Sequence, residues 1–186
     1  MRYTHRMQTA VLKPWISPDE YLTFERTADV RHEYVNGEVY AMVGTSRRHN
    51  VIMQNLSAVL RPSIRRRGCE SYTESVKVRV EAANAFYYPD LVVTCDSKDD
   101  DPYVVHAPSL IVEVLSESTE AIDRREKRAH YQMIPSLCEF VLIAQDERRV
   151  EIYRRDGQEW THATITEGDA TFESVGVTVT LDDIYA

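Results

Sequence analysis

A strand that is apolar on both faces leaves a chain few places to put it. In Leu110-Ile-Val-Glu113-Val-Leu115, the side chains of Leu110, Val112 and Val114 point one way and those of Ile111 and Leu115 the other. Such a strand belongs inside a sheet covered on both sides. A helical stretch follows from Thr119 to Met133, opened by Ser118 or Thr119 and closed before Pro135, and a second apolar run, Cys138 to Ala144, comes next. Strand, helix and strand in this order predict a right-handed crossover between parallel neighbours, and these two strands should be the best buried of their sheet.

The flanking sequence supplies further elements. Ser17-Pro18-Asp19-Glu20 combines a capping serine, a proline at the first helical position and a glutamate that completes a capping box, so a helix is predicted to about Glu25. Asn36-Gly37, between Glu33-Tyr-Val and Glu38-Val-Tyr, suits the positive backbone angles of a two-residue hairpin turn. From Ser46 to Arg67, Val51, Ile52, Leu56, Val59, Leu60 and Ile64 recur at helical period, with Gly68 ending the helix and Pro62 expected to kink or divide it. Val76, Val78 and Val80 alternate with charged residues as a strand, and Phe86 to Cys95 reads as one more strand. Beyond Val150 the pattern predicts a hairpin, further strands and a terminal turn at Asp182 to Tyr185. Together these predict a single α/β domain over residues 17–186, a mixed central sheet flanked by helices, after an N-terminal extension of residues 1–16.

Composition excludes several classes. With 186 residues, 43% of them hydrophobic, the chain is long enough for one ordinary core and too apolar for wholesale disorder. The longest apolar stretches, such as Phe140 to Ala144, fall far short of the ~20 residues of a membrane-spanning helix. The start, in which Met7 could equally be the initiator, lacks the apolar segment of a secretory signal, so the cytoplasm is the expected address and no membrane partner is expected. Cys69, Cys95 and Cys138 are widely spaced and odd in number, and are expected as buried or reduced thiols.

Glu113 is the intruder in its strand. A carboxylate there costs several kcal/mol unless it is paired, protonated or metal-bound. Its plainest partner would be an arginine, or solvent at the strand end. Pro89-Asp90 lies 23 residues earlier, before Leu91-Val-Val, and adjacent strands could bring the two acids together. Two close carboxylates call for a cation, and hard oxygen ligands suit magnesium. A phosphodiester-cleaving site would add a positive group near the attacking water or the phosphate, a role suited to lysine.

At these residues the chain resembles the PD-(D/E)XK nuclease superfamily and, within it, the Uma family of putative restriction endonucleases. The resemblance runs from about Ser17 through Glu33-Tyr-Val-Asn-Gly-Glu38, Met42, His49, Tyr88-Pro-Asp90, Pro108-Ser-Leu-Ile-Val-Glu113-Val-Leu-Ser116, Ser118-Thr119, Lys127, Tyr131 and Ile152-Tyr-Arg-Arg-Asp-Gly157. It implies a restriction-endonuclease-like fold, with Asp90 and Glu113 as catalytic metal-binding acids. The plain superfamily pattern puts a lysine two residues after the second acid, where this chain has Leu115; Lys127 on the following helix matches the displaced lysine of the Uma branch. Helical spacing sets Lys127 on a stripe with Asp123, Tyr131 and Ile134, and the bland alternative makes it a solvated partner of Asp123 four residues earlier. Glu33 and His49 are candidates for a metal contact or a supporting hydrogen bond.

The resemblance implies a magnesium-dependent endonuclease, with manganese able to substitute, acting on DNA, and a homodimer through the C-terminal strands is a candidate assembly. The formal charge of −8 opposes tight nonspecific DNA binding, so Arg65-Arg66-Arg67 or Arg124-Arg125 would have to meet phosphates while Asp96 to Asp101 points away. The same charge favours the rival from another class, a noncatalytic protein that keeps the fold as a structural or partner-binding module. A hydrolase of another phosphoester would share the site.

Overall fold

Strand β8 (Pro108–Leu115) is buried along nearly its whole length and runs between two neighbours of opposite sense. In this computed structural model, which describes residues 15–116 and 119–186, β6 (Leu91–Thr94) pairs with it antiparallel and β9 (Glu139–Ala144) parallel. The crossover from β8 to β9 therefore joins parallel neighbours, and β9 is buried at every residue, as two apolar faces require. On its far side β9 pairs with β10 (Val150–Asp156), which turns at Asp156-Gly157 into β11 (Glu159–Ile165), while β3 (Glu70–Thr73) closes the other edge. These six strands are the mixed central sheet.

A second sheet, which hydrophobic patterning did not separate from the first, contains β1 (His32–Val35), β2 (Glu38–Ala41), β4 (Lys77–Val80), β5 (Ala85–Tyr87) and β7 (Val104–Val105) in the order β2-β1-β5-β4-β7. The run read as one strand from Phe86 to Cys95 is in fact two, β5 in one sheet and β6 in the other. The physical reason is Tyr88-Pro89-Asp90: proline cannot donate to a ladder, and the chain changes sheets there. Asn36 and Gly37 both have positive φ, at 46° and 96°, as a two-residue turn matched to strand twist needs.

Helix α1 (Pro18–Glu25) opens with the full capping box of Ser17 and Glu20 and packs Tyr21 on Tyr34 and Phe86 of the second sheet. Helix α2 (Arg47–Arg66) lays Ile52, Met53, Leu56, Leu60 and Ile64 on one face of the central sheet, against Leu91, Leu110, Val112 and Val141. Pro62 does not divide it. Gly68, at φ 74°, ends it with backbone bonds from Gly68 to Arg65 and from Cys69 to Ile64, a left-handed cap that glycine adopts without strain. The same face is completed by β12 (Asp169–Phe172), β13 (Val177–Thr180) and α5 (Leu181–Tyr185). The opposite face, with Val92, Ile111, Leu115, Phe140 and Leu142, packs on the second sheet and on the crossover helix.

That helix is not uniform. It comprises α3 (Glu120–Ile122), a π-helical turn (Asp123–Lys127) and α4 (Arg128–Tyr131), with helical backbone angles at every junction. Ser118 lies outside the described residues, and so do residues 1–14 of the expected N-terminal extension. The expected thiol state is corrected for two of the three cysteines: Cys69 and Cys95 form a disulfide, whereas Cys138 is a free thiol, and an exposed one. Register explains the bond, since Glu70 faces Thr94 and the next pair outward is Cys69 with Cys95. Such a pairing depends on two strands meeting and leaves no trace in cysteine spacing. Truncating the fully buried Leu56 to alanine is expected to cost about 2–5 kcal/mol in chemical denaturation; a loss below about 1 kcal/mol would mean α2 is not clamped on the sheet as described.

Candidate active site

Alternation along β8 sends Glu113 to the same side as Ile111 and Leu115, between the two sheets and under the crossover helix. It is 3% exposed. Its Oε1 accepts hydrogen bonds from Lys127 Nζ at 3.3 Å and Tyr131 Oη at 3.0 Å, and its Oε2 accepts from the Asp90 backbone N–H at 3.3 Å. The partner is thus a lysine and a tyrosine rather than an arginine or solvent. Leu91 pairs with Val112, so the continued register sets Asp90 across from Glu113. The Asp90 carboxylate reaches back to accept from the Val114 backbone N–H at 2.6 Å. Adjacent antiparallel strands thereby hold both acids by each other's backbone.

Lys127 is 6% exposed and sits among three carboxylates, with Glu33 at 2.8 Å, Glu113 at 3.3 Å and Asp123 at 3.4 Å. Its pairing with Asp123 exists, but both are buried, which corrects the solvated-pair expectation. A four-residue step overshoots one α-helical turn and falls short of one π-helical turn, so the mixed helix keeps Asp123, Lys127 and Tyr131 on one side. No sequence signal marked the π turn. Glu33 comes from β1, where alternation with Tyr34 turns it away from α1, and it also accepts from the Tyr88 backbone N–H at 3.3 Å. His49, at the third position of α2, places Nε2 3.0 Å from Asp90 Oδ2. Asp123 was absent from the sequence-derived acids because a helix-surface ion pair with Lys127 explained it equally well.

The charges are unbalanced. Burial raises the Glu113 pKa well above the ordinary carboxylate value, with Asp123, Asp90 and Glu33 adding to the rise against the pull of Lys127. Burial likewise raises Asp123. Burial works against the Lys127 ammonium, yet Glu113, Glu33 and Asp123 outweigh it and hold its pKa well above the usual lysine value. For His49 too, burial opposes charge, and the hydrogen bond and charge of Asp90 prevail and raise its pKa. Among the described residues, Asp123 Oδ1 has no hydrogen bond and no group of three or more His, Cys, Asp or Glu side chains stands in metal-holding geometry. Asp90 and Glu113 nonetheless offer hard oxygen donors amid surplus negative charge, a donor set that fits a divalent cation with water completing its shell.

The arginine runs do not serve this site. Arg65, Arg66 and Arg67 are exposed at the other end of α2, ~25 Å along the helix from His49. Arg124 forks the buried Glu151 with two contacts of 2.8 Å and also pairs with Glu120. Acids of the 96–101 loop cap backbone instead: Asp99 accepts from His106 and Ala107, and Asp101 from Tyr103 and Val104.

A mixed sheet flanked by helices, with paired acids at the meeting of β6 and β8, defines a restriction-endonuclease-like fold. The Uma2 family model, described as "Putative restriction endonuclease", matches residues 18–182, and the chain belongs to that family. It is 33% identical over 175 residues to the uncharacterized protein slr1290 of Synechocystis sp., covering 92% of each chain. A second Synechocystis sp. relative, the uncharacterized protein sll1609, is 33% identical over 158 residues, covering 83% of this chain and 89% of that one. The crystal structure of "a putative nuclease belonging to DUF820" from Anabaena variabilis superposes with a TM-score of 0.74 over 91% of this chain and 97% of that one, at 18% identity, which speaks for the fold. No helix among the described residues is long and apolar enough to cross a membrane.

Because its folded-state pKa is raised, Glu113 keeps a proton that the unfolded chain releases, so its share of stability is present at low pH and lost as pH climbs from about 4.5 upward. Lys127, raised the other way round, contributes fully below 10.5 and loses its share only above that value. In chelator, Glu113→Gln is therefore expected to melt above the wild type near neutral pH, with the gap closing as pH falls toward 4.5. Parallel melting curves across that range would contradict the raised pKa.

Proposed function

We propose that the chain is a divalent-metal-dependent endonuclease that hydrolyses DNA phosphodiester bonds, with Asp90 and Glu113 holding magnesium, or manganese in its place. The observation that carries this reading is the meeting of Asp90, Glu113 and Lys127 in one buried network in a chain of this family. A bound divalent ion would supply Lewis-acid stabilisation of phosphate charge.

The chain's own residues do the positioning. Mutual backbone hydrogen bonds fix the Asp90 and Glu113 carboxylates before any ion arrives, which limits reorganisation. Lys127 keeps its proton among three acids, so it acts as a fixed donor that orients water or a phosphate oxygen rather than as the base. Tyr131 holds Glu113 Oε1 in place, and His49 does the same for Asp90 Oδ2. Glu33 and Asp123 complete the anionic wall around the ammonium and so raise the site's attraction for a cation.

Purified protein is expected to nick supercoiled plasmid DNA with Mg2+ or Mn2+ and to stop in chelator. Asp90→Ala and Glu113→Ala should each lower the rate by at least about 100-fold, and Lys127→Ala comparably. Equal nicking by the wild type and both acid variants would remove the assignment.

A further inference from the structure

Beside the acid network, across the Glu33–Tyr88 contact, lies a cluster with the opposite charge. Lys77 on β4 is 8% exposed, with Nζ donating to Tyr88 Oη at 3.3 Å and lying 5.1 Å from the centre of the Tyr88 ring. The Arg31 guanidinium stands 6.0 Å from the same ring centre. Tyr88 Oη in turn donates to Glu25 Oε1 at 2.9 Å, and Glu25 also takes the His32 backbone N–H and faces His32 Nδ1 at 3.1 Å.

What sets this cluster apart is that its cations lack a direct ion pair: the Glu25 carboxylate meets Lys77 only through the Tyr88 hydroxyl. Among the described residues neither Lys77 nor Arg31 has a carboxylate within ion-pair distance; Arg31 donates to the Glu74 carbonyl at 3.1 Å, and Lys77 uses one of its three N–H groups. A nearly buried ammonium without an ion partner is costly, and a second cation nearby adds to that cost. Burial, with Arg26 and Arg31, lowers the Lys77 pKa, although Glu25 and Asp101 pull the other way. Elsewhere on this acidic chain the buried charges Glu139 and Glu151 each have arginine partners. An incoming anion is what would complete the Lys77 and Arg31 pair.

Position suggests which anion. Tyr88 is two residues before Asp90, at most ~7 Å of extended backbone, and its N–H is bound to Glu33 of the acid network. Glu74, whose carbonyl anchors Arg31, donates its own N–H to the Asp90 carbonyl at 3.3 Å. Successive phosphates of one DNA strand rise ~3.4 Å along the axis, so an anion held beside Tyr88 falls on the scale of a neighbouring phosphate rather than a remote one. We propose that Arg31 and Lys77, on either side of Tyr88, form a subsite for a backbone phosphate of DNA next to the one that the acids hold. This rests on the nuclease reading and assigns its substrate contact.

The test is equilibrium binding of a labelled duplex to the full chain in calcium, read by fluorescence anisotropy across a salt series. Arg31→Gln and Lys77→Gln should each reduce the slope of log affinity against log salt, uniformly across DNA sequences, and the double variant, which loses the one phosphate contact altogether, should reduce it by about one. Lys77→Arg should restore the slope, and Arg66→Gln at the far end of α2 should leave it unchanged. If the wild type binds and nicks DNA while both glutamine variants keep its slope, the subsite is wrong and the catalytic assignment stands. If the wild type binds no duplex at any salt, both fall. Should Lys77→Gln not fold, the exposed Arg31→Gln decides alone.

Discussion

The ammonium of Lys127 is the point at which the molecule is tied together. Its three carboxylates come from three separate pieces of backbone: Glu33 from the second sheet, Glu113 from the central sheet, Asp123 from the crossover helix. Without the amine, three acids would be buried against one another with no counter-charge, and without the acids the amine would be buried alone; either is more costly than the intact set. Glu113 answers the shortage of positive charge by holding its proton more tightly, and under the proposed function a divalent cation would take that proton's place.

The sheets serve this arrangement. The face of β8 with Leu110, Val112 and Val114 packs under α2, which leaves the other face to put Glu113 against the second sheet and the crossover helix. Because α2 lies along the first face, its N-terminus arrives beside Asp90 and delivers His49. The change of sheet at Tyr88-Pro89-Asp90 lets one short segment present a backbone N–H to Glu33, a carboxylate to the centre and a ring to Lys77 and Arg31. Two polar networks of opposite charge thus share one segment of chain.

Much of the frame could be read from local pattern, because local physics sets it. The capping box at Ser17, the Asn36-Gly37 turn, the apolar stripe of α2 and the doubly apolar β8 and β9 each depend on residues within one element. Reading failed where a distant partner decides. One run of apolar residues became β5 and β6 in two sheets; cysteines 26 apart in sequence became neighbours by strand register. Pro62 is accommodated in an unbroken helix, and a π turn inserted at Asp123 is marked by no residue type.

For the site, the sequence by itself singled out Glu113, since a carboxylate on a strand buried on both faces demands a partner, and made Asp90 its natural companion. It left Lys127 as either a buried amine or a surface ion pair, and Glu33, His49 and Asp123 without settled places. Only the tertiary structure chose, because burial is a property of packed layers: the same Asp123 and Lys127 would be an ordinary solvated pair on a helix facing water, and they become the core of a charged network when that helix closes over β8 and β1.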